Sequence, residues 1–374
     1  MGTVDAPYVA LSCAMSVDGY IDDAGPERLV LSNDSDLDRV DGERAASDAI
    51  MVGAGTVRQD DPRLLVRSPA RRAERLRDGR PASPLRVVLT ASGDLDPGLR
   101  LFTSAGAERL VYCPTTVEPG LRERLGPVAA VIAAGDPVTL ATVLDDLARR
   151  RVRRLLVEGG TAVFTEFLSA GLADELHLAI APFLVGDRRA PRFVGEAAFP
   201  HDAGHRMALL EARPIGDVVL LRYALTERAR DRHWLLTAID LSRRCPPAAG
   251  AFSVGAVLVD AAGGVIAEGW SRDTDPHVHA EESALARIPA DDPRLPSATL
   301  YSSLEPCSVR RSRPLSCTRH ILASGIRRVV FALREPDLFV RCRGAEELRE
   351  AGVTVVEVPE LGDQVRAVNE HLTI

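Results

Sequence analysis

From residue 8 to residue 223, short β-branched runs alternate with amphipathic stretches. The apolar runs at 8–13, 49–52, 85–89, 110–112, 128–132, 154–157, 175–180 and 218–223 predict strands. Helical spacing lies between them, including 35–46, 138–150 and 161–170. Strands alternating with helices predict an α/β layered sheet. The segment 226–232 (TERARDR) is charged and lacks an apolar anchor, which predicts a linker between domains at 1–225 and 226–374. A helix is expected at 234–243, then a Pro-Pro loop and strands at 252–259 and 265–270. Helix 279–286 follows, and strand 298–302 delivers Glu305-Pro306-Cys307 at its end. Helix 317–323, strand 329–332, helix 345–351 and strand 353–358 complete the expected pattern.

At 374 residues the chain exceeds the size at which one core stops growing, so two domains are expected, and a hydrophobic content of 46% fills both. The formal net charge of −7 argues against a general nucleic-acid binder. All 46 basic residues are Arg, which excludes a catalytic lysine or Schiff base. No basic n-region precedes a long apolar run, and no apolar stretch reaches a membrane span, so a cytoplasmic protein without a membrane partner is expected. Six scattered Cys in such a chain favour free thiols and metal ligation over disulfides.

The chemistry concentrates in His279-Ala280-Glu281, Glu305-Pro306-Cys307 and Cys317. One His and two Cys give Zn2+ three protein ligands and leave a fourth tetrahedral position for water. Thiolates at helix N-termini are favoured by the helix dipole. H-x-E followed by P-C and a second Cys is the pattern of zinc deaminases, with the Glu as proton carrier and not a ligand. His279, Cys307 and Cys317 are therefore the expected ligands and Glu281 the catalytic residue. His277 has no Glu in register and reads as a loop or substrate-facing residue. Cys245 and Cys342 have no partner at ligand spacing and read as packing residues.

Nine residues separate Cys307 from Cys317, and they carry Arg310, Arg311 and Arg313. Guanidiniums beside a small-molecule site suit a phosphorylated substrate, and a solvated basic loop is the plainer reading. The runs HAEESAL, LYSSLEPCSVRRSRPLSC and RRVVFALREPDLFVRCRGAEELREAGVTV resemble the pyrimidine deaminase of riboflavin biosynthesis. The nine-residue spacing and the REPDLFV segment look more like the fungal-type enzyme than the usual bacterial one. That type acts after the reduction step, so the resemblance implies that reduction precedes deamination here.

In the N-terminal part, Gly159-Gly160-Thr161 runs from a strand into a helix. Such a turn presents backbone N–H groups to a pyrophosphate, and it is also what any tight strand–helix turn needs. The runs AMSVDGYID, SDAIMVGAGTVRQDDPRLLVR and LLVEGGTAVFTEFLSAGLADELHLAIAPFLVG resemble the reductase domain of riboflavin biosynthesis. The resemblance implies a dihydrofolate-reductase-like α/β fold using NADPH, followed by a cytidine-deaminase-like α/β/α zinc domain. Carried over position by position, it implies NADPH contacts at Thr56, Asp60 and the turn through Gly160. It implies substrate contacts at Arg44, Leu64, Arg67 and Glu158, with Asp18 and Gly19 shaping the floor. Ser12 stands where the common bacterial form has Lys, and Arg28-Leu29-Val30 where it has Ser-x-Trp. The group that protonates the ribose oxygen is therefore unassigned.

Together these features predict a bifunctional enzyme acting on a pyrimidine nucleotide, with reductase before deaminase, the reverse of the usual bacterial fusion. A homodimer is expected from the reductase resemblance. Two rivals stay open: the same pair of domains serving another nucleotide pathway, and a deaminase carrying a non-catalytic reductase-like module.

Overall fold

The computed structural model describes residues 6–25, 27–310, 312–336 and 342–372. The chain divides into two compact units, Met1–Thr226 and Glu227–Ile374.

The first unit is built on a nine-stranded sheet. Its strands are β1 (Tyr8–Ser16), β2 (Ala49–Gly53), β3 (Leu85–Leu89), β4 (Arg109–Cys113), β5 (Ala130–Ala133), β6 (Arg154–Val157), β7 (Glu175–Ala181), β8 (Ala208–Ile215) and β9 (Val218–Ala224), in the order β5-β4-β3-β2-β6-β1-β7-β9-β8. Pairing is parallel from β5 through β7, while β9 and β8 add on antiparallel. The central strands β2 and β6 are covered on both faces, which is why they read as unbroken apolar runs and not as alternations. β8 was not expected. It is an edge strand whose residues are mostly half-buried or exposed, with Glu211, Arg213 and Pro214 along it, so it carries no apolar periodicity.

A charged layer lies inside this unit beside β1, β7 and β9. Glu175, 2% exposed, accepts from Tyr8 Oη at 2.7 Å and from Arg222 Nε at 2.9 Å, and His177 Nε2 lies 3.0 Å away. Burial pushes the Glu175 carboxyl up, but His177, Arg222 and Tyr8 together hold it well below its ordinary value of 4.5. A carboxyl depressed in the folded state contributes stability above its ordinary value and loses it as pH falls. Glu175→Gln leaves Arg222 short of a buried counter-charge, which costs about 3–5 kcal/mol. At roughly 2–4 °C per kcal/mol, calorimetry should show the first unit melting about 6–20 °C lower, with weaker dependence on acid pH than the wild type.

The second unit holds a five-stranded sheet of β10 (Gly255–Val259), β11 (Val265–Trp270), β12 (Thr299–Leu304), β13 (Arg328–Leu333) and β14 (Thr354–Glu357), ordered β11-β10-β12-β13-β14. β10 pairs antiparallel with β11 and β12, and β12, β13 and β14 run parallel. The expected linker at 226–232 is instead the start of a helix, Glu227–Ser242. Ala229 and Asp231 are buried there, and Asp231 accepts from Arg328 at 2.8 and 2.9 Å and from Tyr301 at 3.1 Å. The ion pair on buried Asp231, with Ala229 as the one buried apolar residue beside it, anchors this charged turn. Residues 252–254 precede β10 without joining it, because side chains take their amides: Ser253 N donates to Asn369 and Val254 N to Ser271. A final helix, Gly362–Val368, was not expected from the sequence.

Candidate active sites

In the second unit the site forms where β12 ends and two helices begin. His279 is the N-cap of the helix Ala280–Leu285, and Cys317 is the first residue of the helix Cys317–Ser324. Close backbone approach sets the first helix in place: a Cβ on Gly269 of β11 would sit 2.4 Å from Ala280 O and from Ala284 N. A Cβ on Gly344 would sit 1.8 Å from Pro306 O, so only glycine lets the helix Gly344–Glu350 reach the Pro306-Cys307 turn.

The ligand atoms of His279, Cys307 and Cys317 lie within 4.8 Å of one another, and this is the one such cluster among the described residues. His279 Nδ1 is 3.5 Å from Cys307 Sγ and 3.4 Å from Cys317 Sγ. Cys307 Sγ also accepts from the Cys317 amide at 3.4 Å. The hydrogen bond from Cys317, then His279, holds the Cys307 thiol well below its ordinary range, ready to ligate as thiolate. One imidazole and two sulfurs, nearly enclosed, are a donor set that fits Zn2+.

Glu281 is 3% exposed. Its Oε1 accepts from Ser302 Oγ at 2.9 Å, and its Oε2 lies 3.1 Å from Cys317 Sγ. Burial, then the neighbouring Cys307, pushes this carboxyl above the ordinary range, as a group that takes and returns a proton requires. His279, Glu281 and Cys307 line a cleft of about 380 Å³ with His277, Arg310 and Glu335. A second cleft, of about 500 Å³ and lined by Ser242, Cys245 and His371 among others, holds none of these ligating groups.

The loop arginines are differently placed. Arg310 joins the cleft wall but donates to Glu282 at 2.9 Å and to His277 O at 2.6 Å. Arg313 is not in that wall; it pairs with Asp275 and Glu282. Arg311 lies outside the described residues. Sequence reasoning missed Ser302 and Glu335, and named Glu305 in its motif without giving it a role. Ser302 is one of two adjacent serines fully buried on strand β12, and burial of that polar pair was the available signal. Glu305 accepts from the amides of Glu335 at 3.3 Å and Ala345 at 2.8 Å, bracing the turn that carries Cys307. Glu335 follows β13, and burial, then Cys307, pushes its carboxyl up to about 7. Its place just past the end of a parallel strand was the available signal.

In the first unit the candidate residues gather past the C-terminal ends of the adjacent strands β2, β6 and β1. Ligands of open α/β sheets bind at such ends. Gly53 N donates to Gly159 O at 2.9 Å, and the Gly159-Gly160 peptide is cis. Gly159 has φ +134°, open to glycine, and a Cβ on Gly160 would sit 3.1 Å from Thr56 Oγ1. Bare backbone thus faces Thr56 in a cradle that a side chain would fill, followed by the N-terminus of the helix Thr161–Ser169. This suits the pyrophosphate of NADPH. The Thr161 hydroxyl itself donates to Arg192 O. Asp60 ends the helix Ala54–Asp60, 3.8 Å from Arg28, and burial raises its carboxyl. 

Arg44 Nε and Nη2 each meet Glu158 at 2.6 Å, a bidentate pair, while Nη1 donates to Leu65 O at 3.2 Å. Leu64 is buried with φ +49°. Arg67 is 51% exposed along its side chain and donates to Leu37 O at 2.8 Å. Asp18 accepts from Ser16 Oγ at 2.6 Å and from the amides of Val185 and Gly186, which hold its carboxyl below the ordinary range beside Gly19 at φ +84°.

Residues 7–221 match the family described as the RibD C-terminal domain, and residues 228–333 match the cytidine and deoxycytidylate deaminase zinc-binding region. The chain is 39% identical over 186 residues to the 2,5-diamino-6-ribosylamino-4(3H)-pyrimidinone 5′-phosphate reductase of Archaeoglobus fulgidus, covering 50% of this chain and 84% of that one. It is 39% identical over 126 residues to the diaminohydroxyphosphoribosylamino-pyrimidine deaminase of Schizosaccharomyces pombe, covering 33% of this chain and 31% of that one. Among solved structures it is similar to Acinetobacter baumannii RibD, form 1, with 27% identity and a TM-score of 0.50 over 60% of this chain and 59% of that one.

Proposed function

Because the chain belongs, through residues 7–221, to the RibD C-terminal domain family, we propose that it performs two steps of riboflavin biosynthesis on one pyrimidine nucleotide. Its N-terminal domain is a reductase domain that uses NADPH, and its C-terminal domain is a zinc deaminase domain. The observation that carries the two-step reading is the presence, in one chain, of the Gly160–Thr56 cradle and the His279/Cys307/Cys317 cluster with Glu281 beside it.

In the deaminase domain, His279, Cys307 and Cys317 would hold Zn2+. Bound there, zinc supplies a Lewis acid that makes water a nucleophile near neutral pH. Glu281 takes one proton from the attacking water and gives it to the ring nitrogen, then takes the second from the hydroxyl now on the ring carbon and gives it to the departing amine, so that C–NH2 and water become C=O and ammonia. Ser302 orients the Glu281 carboxylate for this transfer. The wall residue Arg310 meets the substrate with the two N–H donors not already engaged by Glu282, His277 and Ser312.

In the reductase domain, NADPH would supply hydride to C1′ as the ribose ring opens and its oxygen gains a proton. The backbone of Gly159, Gly160 and Thr161, with Thr56, holds the cofactor phosphates in this reading, and Asp60 closes that side. Glu158, oriented by Arg44, meets the substrate, Leu64 packs against it, and the exposed guanidinium of Arg67 takes its phosphate. Asp18 and Gly19 form the floor.

Reduction precedes deamination in this account. The similar archaeal reductase is named for a 2,5-diamino substrate, a ring that still carries the amine to be lost. Ammonia release from the ribitylamino compound should therefore exceed release from the ribosylamino compound at least roughly tenfold in kcat/KM, a discrimination of about 1.4 kcal/mol. Faster release from the ribosylamino compound reverses the order.

The same reading takes the protein as a cytoplasmic homodimer. Six cysteines outside any disulfide suit a reducing compartment, and exposed Val17 and Leu184 on neighbouring loops offer apolar surface to a second copy. Among the described residues no helix is long and apolar enough to cross a membrane.

A further inference from the structure

We propose that Glu282, the neighbour of the proton carrier, is a positioning residue that fixes the substrate-facing wall of the deaminase cleft. The inference rests on the deaminase reading of that cleft. Glu282 follows Glu281 in the helix Ala280–Leu285, and its side chain is directed to a different set of partners. One oxygen accepts from Arg310 Nη1 at 2.9 Å and lies 3.5 Å from the amide of the ligand His279. The other accepts from Arg313, which also holds Asp275. Arg310 carries the tie onward, donating to His277 O at 2.6 Å and to Ser312 Oγ at 3.3 Å.

A single carboxylate thus joins three segments: the start of the ligand-bearing helix, the turn at Asp275–His277, and the loop between the two ligand cysteines. The Arg310 side chain is 3% exposed and that of Glu282 13%, so the pair is largely withdrawn from water. A guanidinium held at that depth needs its counter-charge; without it, moving toward water is the cheaper arrangement. Glu281 is held through Ser302 and the ligand side chains by one another, and a glutamine at 282 keeps an oxygen to face the His279 amide. Removing the Glu282 charge should therefore move the wall and leave the reacting groups in place. The long loop thereby acts as a shaped wall whose geometry is set from the ligand-bearing helix.

The test uses full-length Glu282→Gln, with Arg310→Gln as the second variant. The measurements are zinc content, kcat and KM for ammonia release, and a crystal structure of Glu282→Gln. The expected result is a KM raised about tenfold or more, with kcat within roughly threefold of wild type and zinc content unchanged. The double variant should be no worse than either single one, because both break the same tie. In the crystal, Arg310 should have left His277 O. Four results overturn the proposal: an unchanged KM, additive effects of the two substitutions, loss of zinc and kcat together, or an Arg310 that stays in place without its partner. Absence of ammonia release from the wild type instead overturns the deaminase reading, and the position of Arg310 in the Glu282→Gln crystal still decides the role of Glu282.

Discussion

Glu281→Gln should lower ammonia release by about 10²–10⁴-fold while NADPH consumption and zinc content stay at wild-type levels. The amide keeps the size of the carboxylate and its contact with Ser302, but it cannot carry a proton. Its environment makes the role specific. Burial and the neighbouring Cys307 raise the Glu281 carboxyl above the ordinary range, toward the working pH, where a group can both accept and return a proton. The zinc measurement separates this from a damaged metal centre, since Glu281 is not among the cluster of potential ligands. A variant that keeps zinc and keeps releasing ammonia would remove Glu281 from the chemistry.

The mirror experiment is Gly160→Val. A Cβ at this position already comes 3.1 Å from Thr56 Oγ1, and two further methyl groups fill the space between the turn and Thr56. Overpacking of this kind costs about 1–3 kcal/mol, and borne by the cofactor complex it weakens NADPH binding about 5- to 150-fold. NADPH titration followed by fluorescence measures this directly. The ribitylamino compound, which needs no reduction, should still lose ammonia at the wild-type rate. If NADPH binds Gly160→Val as tightly as the wild type, the cofactor lies elsewhere.

The sequence makes some features plain for a physical reason. His279, Glu281, Cys307 and Cys317 sit at helix starts and a strand end, where local spacing determines what comes together. Central strands such as β2 and β6 are apolar on both faces, so their positions stand out. Features set by distant partners are not visible in this way. The charged start of the helix Glu227–Ser242 looks like a linker until Asp231 is seen against Arg328 and Tyr301. The strand β8 lies at a sheet edge and carries no apolar rhythm. Arg310 and Arg313 read as cations available for phosphate because their carboxylate partners lie 28 and 31 residues away in sequence. Ser302 and Glu335 belong to the site through sheet geometry, which local spacing does not encode.

We propose that one chain reduces and deaminates the same nucleotide, in that order. The most direct measurement supplies the wild-type protein with the ribosylamino-pyrimidine phosphate, with and without NADPH, and follows NADPH loss and ammonia release together. One NADPH should be consumed per ammonia released, with little ammonia when NADPH is withheld. Ammonia released at full rate without NADPH would contradict the order, and NADPH left untouched while deamination proceeds would contradict the reductase.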